Sequence, residues 1–273
     1  MGRVRPGPGM SRGVAAALRQ LLLIAVSAVA ATGLWIAVLE SFRVSPLLGA
    51  RPWAVWAYLS DGAEGAGRRA VLLGQLGETL AHASVGLLAA MVSAFLLAAA
   101  FAMVQLLETA LTPLLLVLRT VPVVVLTPVI TIVVGNGLGA VVVIVFLAVF
   151  FPCVFLMLQG MRSARREQLD LLEAYGSGSW GLLVRLRLPA AVPSISASFR
   201  VAIPIAVTGA MLAEWLATGD GLGGAISRAS GSFDYTLMWS AMVLITVVTA
   251  VAYASATVLD EVLRARFGQL GDG

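Results

Sequence analysis

The chain has 273 residues, 60% of them apolar and 12% charged, with a formal net charge of +4. Soluble domains run at roughly 45–50% apolar and about 25% charged, so this composition excludes a water-soluble enzyme and directs most apolar surface toward lipid or other helices. All 18 basic residues are arginine, which removes P-loop, Schiff-base and lysine-base chemistry, while the single Cys153 and single His82 exclude a disulfide framework or a His/Cys metal cluster within one chain.

Runs of about 20 apolar residues predict six transmembrane helices, near 20–39, 80–104, 110–134, 138–160, 193–217 and 237–259. An even number of spans puts both termini on one side. That side, comprising the N-terminal tail, the 162–192 loop and the C-terminal tail, holds eleven arginines against five in the opposite loops (Arg43, Arg51, Arg68, Arg69 and Arg228). The positive-inside bias therefore assigns it to the cytoplasm. Residues 1–18 read as a disordered basic tail, 19–263 as the six-helix domain and 264–273 as a second cytoplasmic tail. Ala28-Val29-Ala30 has the look of a signal-peptide cleavage site, but the apolar run continues to Val38, as a full uncleaved span would.

The outer segments 40–78 and 218–235 carry Trp53, Trp56, Tyr58 and Tyr235, with Trp215 nearby, consistent with an interfacial aromatic belt. In the second span, Gly86, Ala90, Ala94, Ala98 and Ala102 recur every four residues, a ladder of small side chains that lets a neighbouring helix approach closely. The third contains Pro113, Pro122 and Pro128, each predicting a kink or break. Gly135-Asn136-Gly137 predicts a tight turn before the fourth.

The 162–192 segment is too polar to span and too patterned to be a slack linker. A first helix is expected from Arg162, with Arg162, Arg166 and Asp170 on one face and Leu169, Leu172 and Tyr175 toward the membrane domain. Gly176-Ser177-Gly178-Ser179 stops it, and Ser179 caps a second short helix from Trp180 to Arg187 that Leu188-Pro189 ends. Two short helices around a glycine break make a knob suited to docking a soluble partner, or else a plain surface hairpin.

The stretch Asp170-Leu-Leu-Glu173-Ala-Tyr175-Gly176, followed after nine intervening residues by Leu186-Arg187-Leu188-Pro189, resembles the "EAA" loop of permease subunits of bacterial ABC importers. Thr79-Leu80, Leu118-Arg119-Thr-Val-Pro122 with Pro128, Phe150-Phe151-Pro152, and Ala213-Glu214 followed by Gly221-Leu222-Gly223 resemble, in that order, the branch serving nitrate, sulfonate, taurine and related solutes. The likeness covers roughly 75–267. Asp170-Leu171-Leu172 departs from the usual Glu-Ala-Ala and Gly176-Ser177-Gly178 from Gly-Ala-Ser, which leaves the detailed contact geometry open.

The resemblance implies an all-α, type I ABC importer permease-like membrane protein with a cytoplasmic coupling-helix loop, in the bacterial cytoplasmic (inner) membrane. Asp170, Glu173, Tyr175, Gly176, Ser177, Gly178, Ser179, Leu188 and Pro189 would form the loop that couples to a separate ABC ATPase. That subunit would use ATP and Mg, with no cofactor or metal bound by this chain. The other implied partners are a periplasmic or lipid-anchored solute-binding protein, a second permease copy and the lipid bilayer; no nucleic acid is expected.

Ionisable groups within spans are costly in lipid and should face the bundle interior, an interface or water. Arg119, beside Pro122, is the candidate anion contact on the translocation path, the alternative being a structural role at carbonyls freed by the proline. Arg200 is a second candidate that otherwise snorkels to the headgroups. Glu214, near the outer end of the fifth span, reads as an outer-gate residue or a satisfied interfacial carboxylate. His82, placed near the inner end of its span, and Cys153 read as helix-packing residues, and no catalytic constellation is present. The competing function is an ion-coupled secondary transporter, which would need intramembrane carboxylates such as Glu214; a membrane-embedded enzyme lacks the clustered polar groups it requires.

Overall fold

The computed structural model describes residues 26–267, with side chains described as far as 261. Among the described residues the chain is helical, with no strand. The expected tail 1–18 and the start of the first span lie outside them; what is described of that span is α1 (Val26–Ser41).

The centre is α6 (Leu138–Met161), apolar but for Gln159 in its last turn and without a charge. A helix apolar on every side is stable only when covered on every side. On one flank lies α3 (Gly62–Met103) and on the other α9 (Leu188–Ala213), with α11 (Tyr235–Phe267) packed on α9. Ala90, Ala94 and Ala98 are completely buried, as the ladder predicts, and a Cβ added at Gly86 would stand 2.5 Å from the Val145 Cβ. Gly86→Val is therefore expected to force α3 off α6 and lower stability by about 1–3 kcal/mol, read as an earlier unfolding midpoint in detergent.

Three boundaries differ from the sequence expectation. The second span is the end of a 42-residue helix, about 63 Å long at 1.5 Å per residue, because nothing between Gly62 and Glu78 breaks a helix. The third is two helices, α4 (Gln105–Thr120) and α5 (Val123–Val134), bent by 95°. Only Pro122 of its three prolines causes the break: Val121 before it is extended (φ −73°, ψ 120°), as a pre-proline residue prefers, whereas Pro113 and Pro128 sit inside continuous helix. Finally, α11 runs on to Phe267, through residues expected to begin the C-terminal tail. Four described helices are long and apolar enough to cross a membrane, and the bent pair makes a fifth crossing when counted as one span.

The expected turn is present: Gly135 (φ +89°) and Gly137 (φ +134°) hold backbone conformations that side chains disfavour and reverse the chain between α5 and α6. Before α3, a short helix α2 (Pro52–Ser60) packs on α3 and α11. Trp35 of α1 stacks on Trp239 of α11, with ring centroids 5.2 Å apart.

Candidate functional site

At one end of the bundle, α6 stops at Arg162 and the chain forms a projection. Its first helix is α7 (Arg166–Ala174), four residues shorter at the start than expected: Arg162 instead ends α6 and forms an ion pair with Glu108 at the first turn of α4. Glu108 went unremarked in the sequence because a lone carboxylate flanked by apolar residues carries no local motif. The knob's tip is a fixed cap. Gly176 takes φ +80°, its N–H donates to the Glu173 carbonyl (2.8 Å), and the Ser177 N–H donates to the Leu172 carbonyl (3.0 Å). These two bonds make a Schellman termination, which needs the left-handed residue that glycine supplies.

The second helix, α8 (Ser179–Leu182), has Gly178 rather than Ser179 at its N-cap, with no side-chain cap bond. It does not end at Leu188-Pro189. A wide π-helical turn over Leu183–Arg187 joins it directly to α9, with Pro189 in the first turn of α9. Proline lacks an N–H and its ring presses on the carbonyl four residues back; the wider turn accommodates both. Tyr175 faces outward, 82% exposed, rather than toward the membrane domain, and Trp180 is 67% exposed. Asp170, Glu173, Gly176, Gly178 and Ser179 are likewise exposed, Ser177 is half-buried, and Leu188 and Pro189 anchor the base.

At the opposite end, Glu214 is fully buried at the start of a second π-helical turn, Glu214–Thr218, that continues α9. Thr79 Oγ1 donates to its Oε2 (2.7 Å), the Gly223 N–H donates to the same oxygen (3.1 Å), and His82 Nδ1 lies 2.9 Å from Oε1. The Leu222 N–H in turn donates to Thr79 Oγ1, and the Gly221 N–H to Glu78 (3.0 Å). The network ties the first turn of α10 (Gly221–Gly231) to α3 across more than 130 residues of sequence. Both glycines are required: a Cβ at Gly221 would meet the Glu214 carboxylate at 2.5 Å, and one at Gly223 would meet the Met211 carbonyl at 2.4 Å. Of the two readings of Glu214, the geometry is that of a satisfied carboxylate. His82 is corrected: it lies midway along α3, at the end away from the knob, and bonds Glu214 instead of merely packing. Its span enters from the opposite end, so a residue early in it belongs there.

The path candidates are not brought together. Arg119 is exposed at the end of α4, one turn before the break at Pro122. Arg200 pairs with buried Asp260 of α11 (3.3 Å) and lies over the Tyr253 ring, so it is held inside the bundle rather than snorkelling. Asp260 went unread because it falls just past the predicted end of the sixth span. Removing Arg200 takes a partner from a buried carboxylate. Arg200→Leu is expected to lower the detergent unfolding midpoint by the equivalent of about 1–3 kcal/mol, where exposed Arg119→Leu leaves it unchanged. Cys153 is buried with its Sγ 3.9 Å from the Ser198 carbonyl, a packing position as expected.

Beside the bend, an open cleft of about 290 Å³ is lined by Val123, Val124 and Thr127 of α5, Ile144 and Ala148 of α6, and Pro204, Ile205, Thr208, Gly209 and Leu212 of α9. No charged side chain lines it. Among the described residues, no group of three or more His, Cys, Asp or Glu is placed to hold a metal ion.

The model of one protein family, described as binding-protein-dependent transport system inner membrane component, matches residues 85–269. The formylaminopyrimidine transport permease protein ThiX of Halalkalibacterium halodurans is 30% identical over 185 residues, covering 68% of this chain and 74% of that one. The riboflavin transport system permease protein RibX of Chloroflexus aurantiacus is 32% identical over 157 residues, 58% of this chain and 59% of its own. A third relative, SsuC of Escherichia coli, named for aliphatic sulfonates transport, is 26% identical over 143 residues, 52% and 54%.

Proposed function

The chain belongs to the binding-protein-dependent transport system inner membrane component family, the permeases of ABC importers, and from that premise we propose that it forms, as a homodimer, the translocation path of an ATP-driven importer. The observation that carries this reading is the knob: a rigidly capped tip presenting Tyr175 and Trp180 to solvent at one end of an otherwise apolar bundle. Such a tip fits a groove of a separate ATPase, which hydrolyses ATP with Mg while this chain does no chemistry. Its direct helical continuation into α9 suits transmission of a rigid-body motion. The arginine distribution supports six spans with both termini and the knob in the cytoplasm, leaving the Glu214 end for the solute-binding protein.

For the cargo, the anion reading rests on Arg119. The uncharged cleft at the bend favours a second reading, a small organic solute with an apolar body, in keeping with relatives named for formylaminopyrimidine and riboflavin transport. The test is to purify the tagged chain in mild detergent from its host. A stoichiometric ATPase and ATP-dependent uptake support the importer; a transport-competent particle lacking an ATPase overturns it in favour of an ion-coupled carrier. Unchanged uptake kinetics in Arg119→Ala would remove the anion reading alone.

A further inference from the structure

The segment between α1 and α3 is tied down along its length. Trp239 Nε1 donates to the Leu48 carbonyl (3.1 Å), and Arg51 bonds Glu40 (3.0 Å) and the carbonyls of Gly49 and Val44. Arg68 lies over the Tyr58 ring at 4.4 Å. On this scaffold Val55 of α2 points inward, 4% exposed, while Trp53 and Trp56, three residues apart and hence on one helix face, are 61% and 73% exposed. Phe42, Leu47 and Leu48 are exposed on the same segment. Large apolar side chains held outward by a fixed backbone mark a surface that meets something apolar.

We propose that this face of α2 and its approach lies in the outer membrane–water interface, with Trp53 and Trp56 as anchors at the headgroup level. Continuity favours lipid over a soluble partner: the segment leaves α1 and is bonded to the start of α11, and both helices expose valines and leucines along their lengths (Val29, Leu34, Val247, Val251) as lipid-facing spans do. The chemistry agrees. Indole combines an apolar body with one N–H donor and concentrates at this depth, and α2, nine residues long, is too short to span a bilayer. Arg51 and Arg68 are consumed internally, whereas exposed Arg43 remains to meet a phosphate.

This rests on the membrane orientation proposed above, not on what the chain transports. The test compares the whole protein with W53F/W56F in phosphatidylcholine nanodiscs, using lipid brominated near the headgroup end of its acyl chains. The difference emission, due to Trp53 and Trp56, should be quenched by the brominated lipid and resist aqueous iodide. Quenching by iodide and not by bromolipid overturns the proposal. So does a difference emission insensitive to bromolipid that shifts only when a co-purified binding protein is added, since the face would then dock protein. The emission left in the variant, from Trp35, Trp180, Trp215 and Trp239, reports separately whether the bundle is in the bilayer at all.

Discussion

Glu214→Leu is expected to be among the most damaging single substitutions in the chain. It removes the common acceptor for Thr79, His82 and the Gly223 N–H at a position with no access to water. Leaving buried donors without their shared acceptor costs about 1–3 kcal/mol apiece, together a large part of the stability of most folds, so the yield of monodisperse protein should fall more than tenfold by that measure. Glu214→Gln keeps one acceptor oxygen but turns an NH2 group toward donors, for an intermediate loss of about 1–3 kcal/mol. The two variants separate structure from transport. A Gln variant that unfolds earlier yet retains ATP-driven uptake fits a latch between α3 and α10. One that unfolds normally and loses uptake would make Glu214 a working ionisable group and restore the ion-coupled alternative.

What the sequence displayed and what it hid follow the range of the interactions. The glycine break at Gly176, the turn at Gly135 and Gly137, and the alanine ladder are local or periodic signals, and each holds in three dimensions. Three prolines in one span looked alike, but only Pro122 breaks the helix, because Val121 before it leaves the helical region while the neighbours of Pro113 and Pro128 stay in it. Pro189 looked like a terminator because a π-helical turn has no sequence mark. The pairs Thr79–Glu214, Glu108–Arg162 and Arg200–Asp260 join residues far apart in the chain. No window of residues contains them, so their partners had to be found in space. His82 was read by its position in a span and Glu78 not at all, when the meaning of both lies in the helix opposite.

At the knob, the expected result is loss of the ATPase without loss of the fold. Tyr175 is almost fully exposed, so Tyr175→Ala removes no internal packing and should leave the unfolding midpoint unchanged. An aromatic anchor at the centre of an interface is nevertheless worth about 2 kcal/mol or more, roughly a thirtyfold weaker association, measurable as ATPase retained on the immobilised permease. Gly176 acts differently. Alanine there must take φ near +80°, at about 1 kcal/mol or more, and a glutamate adds bulk and charge at the contact itself, where the glycine Cβ direction is open space within this chain. Gly176→Glu should therefore abolish ATPase retention while Gly176→Ala weakens it. Since no described residue fills the Cβ direction of Gly176 and Tyr175 is exposed, equal ATPase binding by all three variants would mean that the tip is not the point of contact, and the projection would be no more than a surface hairpin.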